Sequence, residues 1–347
     1  MNHTTTSPSF SPSLWNLARA RLVRDKIGML SLGIVLFFIL LSVGSFTGLI
    51  AQNWDEEIAV NYAPPSFLDT SKEPTDTVSR PVIARQQINL YGLHDPLSAV
   101  LKQIELAHPQ DTMPPNDEKK LTHLLLGADK WGRSVALKTI KGSETSIMVG
   151  LIAAIVATCI GTVLGALAGY FGGWVDDLLN WFYNVFTAIP YLLLIFAIAA
   201  VLNQKGVTTI ILILGLTGWT GVFRLIRAEY LKHRQREYVL AAKAMGASHY
   251  RRMFIHILPN TFHVILVQLS INVVGFIKSE VILSFLGFGV PVDVVSWGSM
   301  LNEAQNELVL GIWWQLLGAG AAMAILVTAF SVLTDTLRDA LDPKVVA

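Results

Sequence analysis

Arg224-Leu-Ile-Arg-Ala-Glu-Tyr-Leu-Lys-His-Arg-Gln-Arg-Glu-Tyr-Val-Leu-Ala-Ala-Lys-Ala-Met-Gly-Ala-Ser-His-Tyr-Arg-Arg-Met-Phe-Ile-His-Ile-Leu-Pro259 is a basic stretch set between long apolar runs. Its eight Lys and Arg residues face only Glu229 and Glu237, a local net charge of +6 in a chain whose total is +1. In a membrane protein such a concentration of Lys and Arg marks the cytoplasmic side. Glu237 to Met245 is rich in helix formers, and Gly246 breaks the run at a C-cap position. A second short helix, about Ser248 to Leu258, is predicted to start at a Ser248 N-cap and to end by Pro259. The stretch therefore reads as helix, glycine turn, helix.

The composition agrees with a membrane setting. The 347 residues are 52% hydrophobic and only 15% charged, with a mean hydropathy of +0.51. Soluble domains carry about 25% charged residues. Cys159 is the single cysteine, which excludes an intrachain disulfide or a cysteine metal cluster. The near-neutral total charge argues against nucleic-acid binding. No nucleophile–His–acid pattern and no metal-ligand spacing is present, so the chain reads as a non-enzyme without a cofactor or metal of its own.

Outward from the basic stretch, the apolar runs count to six spans: Ile27 to Ile50, Ser146 to Phe171, Leu178 to Leu202, Val207 to Phe223, Phe262 to Leu286 and Leu308 to Leu333. Each approaches or exceeds the length needed to cross a bilayer. The N-terminal tail, residues 1–26, ends in Arg19, Arg21, Arg24 and Lys26 against Asp25. That charge keeps the tail in the cytoplasm, and its Leu14-to-Val23 face suits a bilayer surface. Six spans place the C-terminal tail, residues 339–347, and the loop 224–259 on the same side. Residues 51–143 then lie outside the cytoplasm, as a polar segment holding eight of the fourteen prolines. Residues 144–338 form the core with the remaining five spans. Leu97 to Leu106 suits one short amphipathic helix within the external segment.

Four features inside this frame invite a closer reading. Gly127-Ala-Asp-Lys-Trp-Gly132-Arg133-Ser134 nearly spells a phosphate-binding loop, but Arg133 stands where that motif needs Lys and no strand precedes it. Nucleotide binding is rejected there. Gly161, Gly165, Gly169 and Gly173 repeat every four residues and predict close helix packing, and Pro190 predicts a kink in the third span. Lys278 and Glu280 are the charged residues of the fifth span and the candidates for a translocation path.

Several motifs together resemble one family. Ala241-Ala242, three residues, Gly246, then Leu258-Pro259 resembles the cytoplasmic Glu-Ala-Ala loop of ABC-importer permeases, with Leu240 in place of the leading Glu and His256 in place of an Ile. Tyr238 to Ala242 and His256 to Asn260 are closer to the dipeptide/oligopeptide/nickel branch, the C-type permeases of binding-protein-dependent transport. The Gly127-to-Ser134 stretch, Leu283 to Gly289, Ser296 to Met300 and Leu337 to Pro343 carry the same resemblance. It implies an all-α, type I ABC-importer permease fold of six transmembrane helices, with an extracytoplasmic insertion after the first, in a bacterial inner membrane. It also implies a second homologous permease, two ATPase subunits that bind ATP and Mg, and an extracytoplasmic solute-binding protein. Glu237, Tyr238, Leu240, Ala241, Ala242, Gly246, Ala247, Leu258 and Pro259 would meet the ATPases. A six-span, ion-coupled secondary transporter is the alternative, with Lys278 and Glu280 as its only charged intramembrane candidates.

Overall fold

The computed structural model describes residues 21–68 and 120–341, apart from 203 and 292. The N-terminal face from Leu14 to Ala20, the helix expected at Leu97 to Leu106 and the last six residues of the tail lie outside them. Among the described residues the architecture is helical, with only three isolated β-bridges. In chain order the helices are α1 (Lys26–Phe46), α2 (Val135–Phe171), α3 (Gly173–Thr187), α4 (Tyr191–Leu202), α5 (Val207–Thr217), α6 (Thr220–His233), α7 (Glu237–Ala244), α8 (Leu258–Phe285), α9 (Trp297–Val309) and α10 (Trp314–Leu341). Among the described residues, five stretches are long and apolar enough to cross a membrane: α1, α2, α5 with α6, Arg251–Phe285, and α10. The pair α3 and α4 makes a sixth when counted as one broken span, bent by 82°. Pro190 sits in that break, as the sequence predicted.

The helix ends differ from those hydropathy suggested. α2 starts at Val135, not Ser146, because its charged first turns are paired. Lys138 Nζ lies 2.5 Å from Glu303, Lys141 is 2.8 Å from Glu144, and Ser45 Oγ donates to Glu144 at 2.6 Å. The third apolar run begins as helix at Gly173, not Leu178. The fourth span does not stop at Phe223 but continues through Arg224 and Arg227 to His233. The last span begins at Trp314 rather than Leu308. Leu308 lies in the last turn of α9 instead, and Gly311 turns the chain with φ of +80°. The first closes at Phe46, short of Ile50.

The chain divides into two compact units, Met1–Trp54 with Leu137–Ala347, and Asp55–Ala136. In the first unit α1 lies along α10, and α8, α9 and α10 pack together. Gly28 allows the first contact, since a Cβ there would stand 2.6 Å from Thr336. Three of the four spaced glycines do what their spacing predicted. A Cβ on Gly161, Gly165 or Gly169 would stand 2.5–2.7 Å from a backbone carbonyl oxygen of Trp219, Phe223 or Arg227. The α2 backbone thus rests directly on α6 and the residue before it. Gly173 is the exception: α2 has ended by then, and nothing lies within 4 Å of the position its Cβ would take.

The second unit holds a small core of Ala59, Ala63 and Ala128. Residues 58–66 and 121–132 are stitched by backbone bonds, among them Ala59 N–H to Gly132 O at 3.0 Å and Leu121 N–H to Ile58 O at 2.9 Å. Its phosphate-loop look-alike is already filled from within. The Trp131 and Arg133 N–H groups donate to Asp129 Oδ1 at 2.9 and 3.0 Å, and Asp129 is fully buried. The amides that a bound phosphate would need thus serve the chain's own carboxylate, in keeping with the rejection made from sequence.

Candidate functional site

The site is the short connection between two long helices. α6 delivers the chain at His233 and the π-helical turn Arg251–Ile257 takes it into α8. Residues 234–250 between them carry α7, and they are far shorter than the basic loop drawn from the sequence. The reason is that Arg224, Arg227, Arg251 and Arg252 extend the helices instead of leaving them.

α7 ends as its sequence dictates. The Ala247 N–H donates to Ala242 O and the Gly246 N–H to Lys243 O, both at 3.0 Å. These are the two bonds of a Schellman cap. Gly246 takes φ of +80°, a conformation that a Cβ disfavours, yet no atom lies within 4 Å of where that Cβ would stand. The glycine is thus required by backbone conformation and not by crowding. Ser248 caps the next helix by accepting from Arg251 N–H at 3.3 Å.

That next helix corrects the expectation for Pro259. The chain does not stop there; helix runs unbroken through it to Phe285. The π-helical turn bonds Leu258 N–H to Met253 O, five residues back, and Pro259 falls in the first turn of α8, where its missing N–H is tolerated. Asn260 Nδ2 donates to the His256 carbonyl at 2.7 Å, satisfying an acceptor beside the proline.

Beneath α7 lies a rigid floor. Ala166 and Tyr170 of α2, Val222, Ile226 and Tyr230 of α6, Val239 of α7, and Met253 and Ile257 of the π-helical turn form one buried cluster. Tyr230 Oη donates to Met253 O at 3.2 Å across it. Val239 and Ala242 are the α7 side chains that face inward, each under 4% exposed. Ala242 therefore differs from its neighbours in the sequence motif: its small side chain lets α7 sit close to the floor. Leu240, Ala241 and Gly246 are exposed, as is Glu237, while Ala247 and Leu258 are half-buried and Pro259 is exposed. Tyr238 Oη and His233 Nδ1 share a hydrogen bond of 2.8 Å, and burial pushes that phenol above its ordinary range, so it stays protonated.

Sequence reasoning missed the outer apolar face beside these residues. Met245 at 81%, Tyr250 at 68% and Ile255 at 55% exposure flank Leu240 and Gly246. It also missed the electrostatic tie next to the site. Arg227 of α6 donates from Nε and Nη2 to the two carboxylate oxygens of Asp176 on α3, at 2.6 and 2.7 Å. Lys278 and Glu280, paired in the sequence as candidates for one path, are separated. Lys278 is exposed on α8, whereas Glu280 is completely buried. Ser146 and Ser284 donate to the Glu280 oxygens at 2.7 and 2.8 Å, and Trp297 N–H donates to Ser146 Oγ. Glu280 thus ties α2, α8 and α9 together and has no open face within this chain.

Residues 161–347, which contain the whole site, match the family described as the binding-protein-dependent transport system inner membrane component. The chain belongs to this permease family. Residues 13–65 of the permease also match the N-terminal TM domain of oligopeptide transport permease C. The dipeptide transport system permease protein DppC of Bacillus subtilis is 39% identical to it over 218 residues, 63% of this chain and 68% of that protein. The oligopeptide transport system permease protein OppC of the same organism is 37% identical over 63% of this chain and 71% of that one. A chain of the MetNI methionine ABC transporter superposes at a TM-score of 0.40 with 14% identity, covering 54% of this chain and 96% of that chain, a likeness too weak to carry an argument. Membership makes the permease an integral inner-membrane component of an ABC transporter and decides against the ion-coupled secondary transporter.

Proposed function

We propose that this permease imports peptides or related small solutes, powered by ATP hydrolysed on two separate ATPase subunits that dock on α7. The observation that carries the proposal is α7 itself: a short helix, capped at Gly246, standing on a packed floor shared by α2, α6 and the start of α8. A push on Leu240, Ala241 or Met245 meets this packed floor and passes into all three of these membrane helices at once. Relatives named for dipeptide and oligopeptide transport support the substrate class.

In this reading ATP and Mg bind only to the ATPases, and a second, homologous permease completes the channel. An extracytoplasmic binding protein delivers the solute. Both termini and residues 234–250 face the cytoplasm, and residues 51–143 face outward. Lys278, exposed on α8, stays a candidate for the translocation path or for the partner permease, since a charge facing lipid costs a few kcal/mol.

Reconstitution of the permease pair in vesicles, with and without the ATPases and binding protein, tests the proposal. Peptide uptake should require both additions and cease when ATP hydrolysis is blocked. Uptake by the permeases alone, driven by a proton or sodium gradient, would refute it.

A further inference from the structure

A cavity of about 420 Å³ opens between the end of α2 and the side of α7. Its lining brings together Arg234, Lys243, His249 and Arg252 with the rings of Tyr170 and Phe171, and no carboxylate is among its lining residues. The cations are held in place. Arg234 Nη1 donates to the Gly169 and Tyr170 carbonyls at 3.4 and 3.2 Å, and the Arg252 guanidinium lies 5.6 Å from the centre of the Tyr170 ring. Arg252 Nη2 lies 3.3 Å from His249 Nδ1.

Donors remain to spare. Arg252 Nε is buried and meets no acceptor among the described residues. Two acids of the neighbouring helices are engaged with other bases: Asp176 gives both oxygens to Arg227, and Glu229 accepts from Lys232.

The height of the cavity narrows the choice of ligand. Phe171 ends one membrane span, Arg234 follows directly on another that ends at His233, and Arg252 stands in the first turn of a third. All three stand at the ends of helices long and apolar enough to cross a membrane. Phe171 is 47% exposed, and Trp174 and Trp181 on α3, at 76% and 63%, supply the amphipathic rings that favour this level. A basic pocket between helices at a membrane boundary suits a phosphate diester carrying acyl chains. We propose that the pocket of Arg234, Lys243 and Arg252 binds the phosphate of an anionic phospholipid, which packs between α2 and α7. Phosphate oxygens accept from the guanidinium and ammonium groups, and the glycerol and chain ends lie against Phe171.

The test uses the whole importer in phosphatidylcholine nanodiscs containing a minor fraction of phosphatidylglycerol. Lipid retained after detergent washing is counted by native mass spectrometry. The wild-type assembly should retain phosphatidylglycerol over phosphatidylcholine. Lys243→Gln and Arg252→Gln should each cut that retention about tenfold, the loss of one charge-assisted contact. Lys243 is exposed, so its variant leaves folding intact. Arg251→Gln removes the same charge from the neighbouring exposed position and should change retention little. Equal loss in Arg251→Gln would mean diffuse attraction and overturn the pocket. Displacement of the lipid by inorganic phosphate would assign the site to a soluble anion and overturn the lipid. Variants that keep the lipid but shed the ATPases would give the pocket to an ATPase carboxylate and overturn the proposal as well.

Discussion

Arg227 holds Asp176 by two parallel hydrogen bonds, at 2.6 and 2.7 Å, and so joins α3 to α6 just before the chain enters α7. Both side chains are partly buried, 30% and 15% exposed. Paired geometry of this kind favours arginine over lysine, whose single point charge cannot reach two oxygens in a fixed fork. Arg227→Ala should therefore destabilise the permease by about 1–3 kcal/mol, mostly through the carboxylate left without its partner. Arg227→Lys should recover only part of that loss. Thermal unfolding of the purified complex in detergent gives the ranking. Equal stability of all three proteins would show that the pair contributes nothing.

The glycines of α2 predict a different kind of failure. Any Cβ on Gly165 would stand 2.7 Å from the Phe223 carbonyl oxygen, and backbone cannot step aside. Gly165→Leu should separate α2 from α6 at a cost of at least about 1–3 kcal/mol and lower the yield of folded protein. Gly320 on α10 has no atom within 4 Å of its Cβ position. Gly320→Ala should be neutral, or stabilising by up to about 1 kcal/mol through helix propensity. Fluorescence-detected size-exclusion profiles would separate the two, and similar profiles would mean that the α2–α6 contact is loose.

These two cases also mark what could be read from the sequence. The glycine spacing, the Pro190 break and the Gly246 turn were legible because each depends on backbone chemistry within a few residues. Helix ends are less legible where charge suggests an exit from the membrane helix: distant Glu303 neutralises Lys138, while Lys141 and Glu144 pair within α2 and Ser45 donates to Glu144. Ala242 was legible as part of a motif but not as an inward-facing residue, since only the fold reveals its floor. The pocket at Arg252 depends on contacts such as Tyr170 Oη to His249 Nδ1, between residues 79 apart, and no local pattern announces that pairing.

Glu280 should behave as a structural acid. Two serine hydroxyls donate to it, and a third bond links Ser146 to the Trp297 backbone. Glu280→Ala removes both acceptors and leaves buried hydroxyls unpaired, costing about 1–3 kcal/mol. Glu280→Gln keeps one acceptor and nearly the same volume, so it should fold and transport close to wild type. If Gln abolishes transport while leaving stability intact, the carboxylate itself takes part in the transport cycle and a purely structural role is wrong.

Topology can be checked with single cysteines in a Cys159→Ser background, since Cys159 is itself exposed. A probe at Glu56→Cys, in the 55–136 unit, should react with an impermeant maleimide added to the outside of intact spheroplasts. A probe at Ala244→Cys, on the exposed side of α7, should react only after permeabilisation. The reverse pattern would invert the proposed orientation and place α7 where no ATPase could reach it.

Gly246 provides the sharpest test of how α7 works. Its φ of +80° with open space around it separates two effects that usually travel together, strain and collision. Asparagine tolerates the left-handed region better than alanine, and a β-branched residue tolerates it least. Gly246→Asn, →Ala and →Val should therefore form a graded series, the last strained by about 1–3 kcal/mol. None places atoms into the permease itself, and the membrane spans lie elsewhere, so insertion and yield should hold across the series. Coupling should not hold. As strain melts the Schellman cap, α7 loses its fixed seat above Val239 and Ala242, and force from the ATPases is spent on bending the connection. Solute-stimulated ATP hydrolysis and peptide uptake should fall together from Asn to Val, with weaker copurification of the ATPases. If Gly246→Val retains full coupled uptake, α7 is a passive basic connection, and the transmission of force through its capped end is refuted.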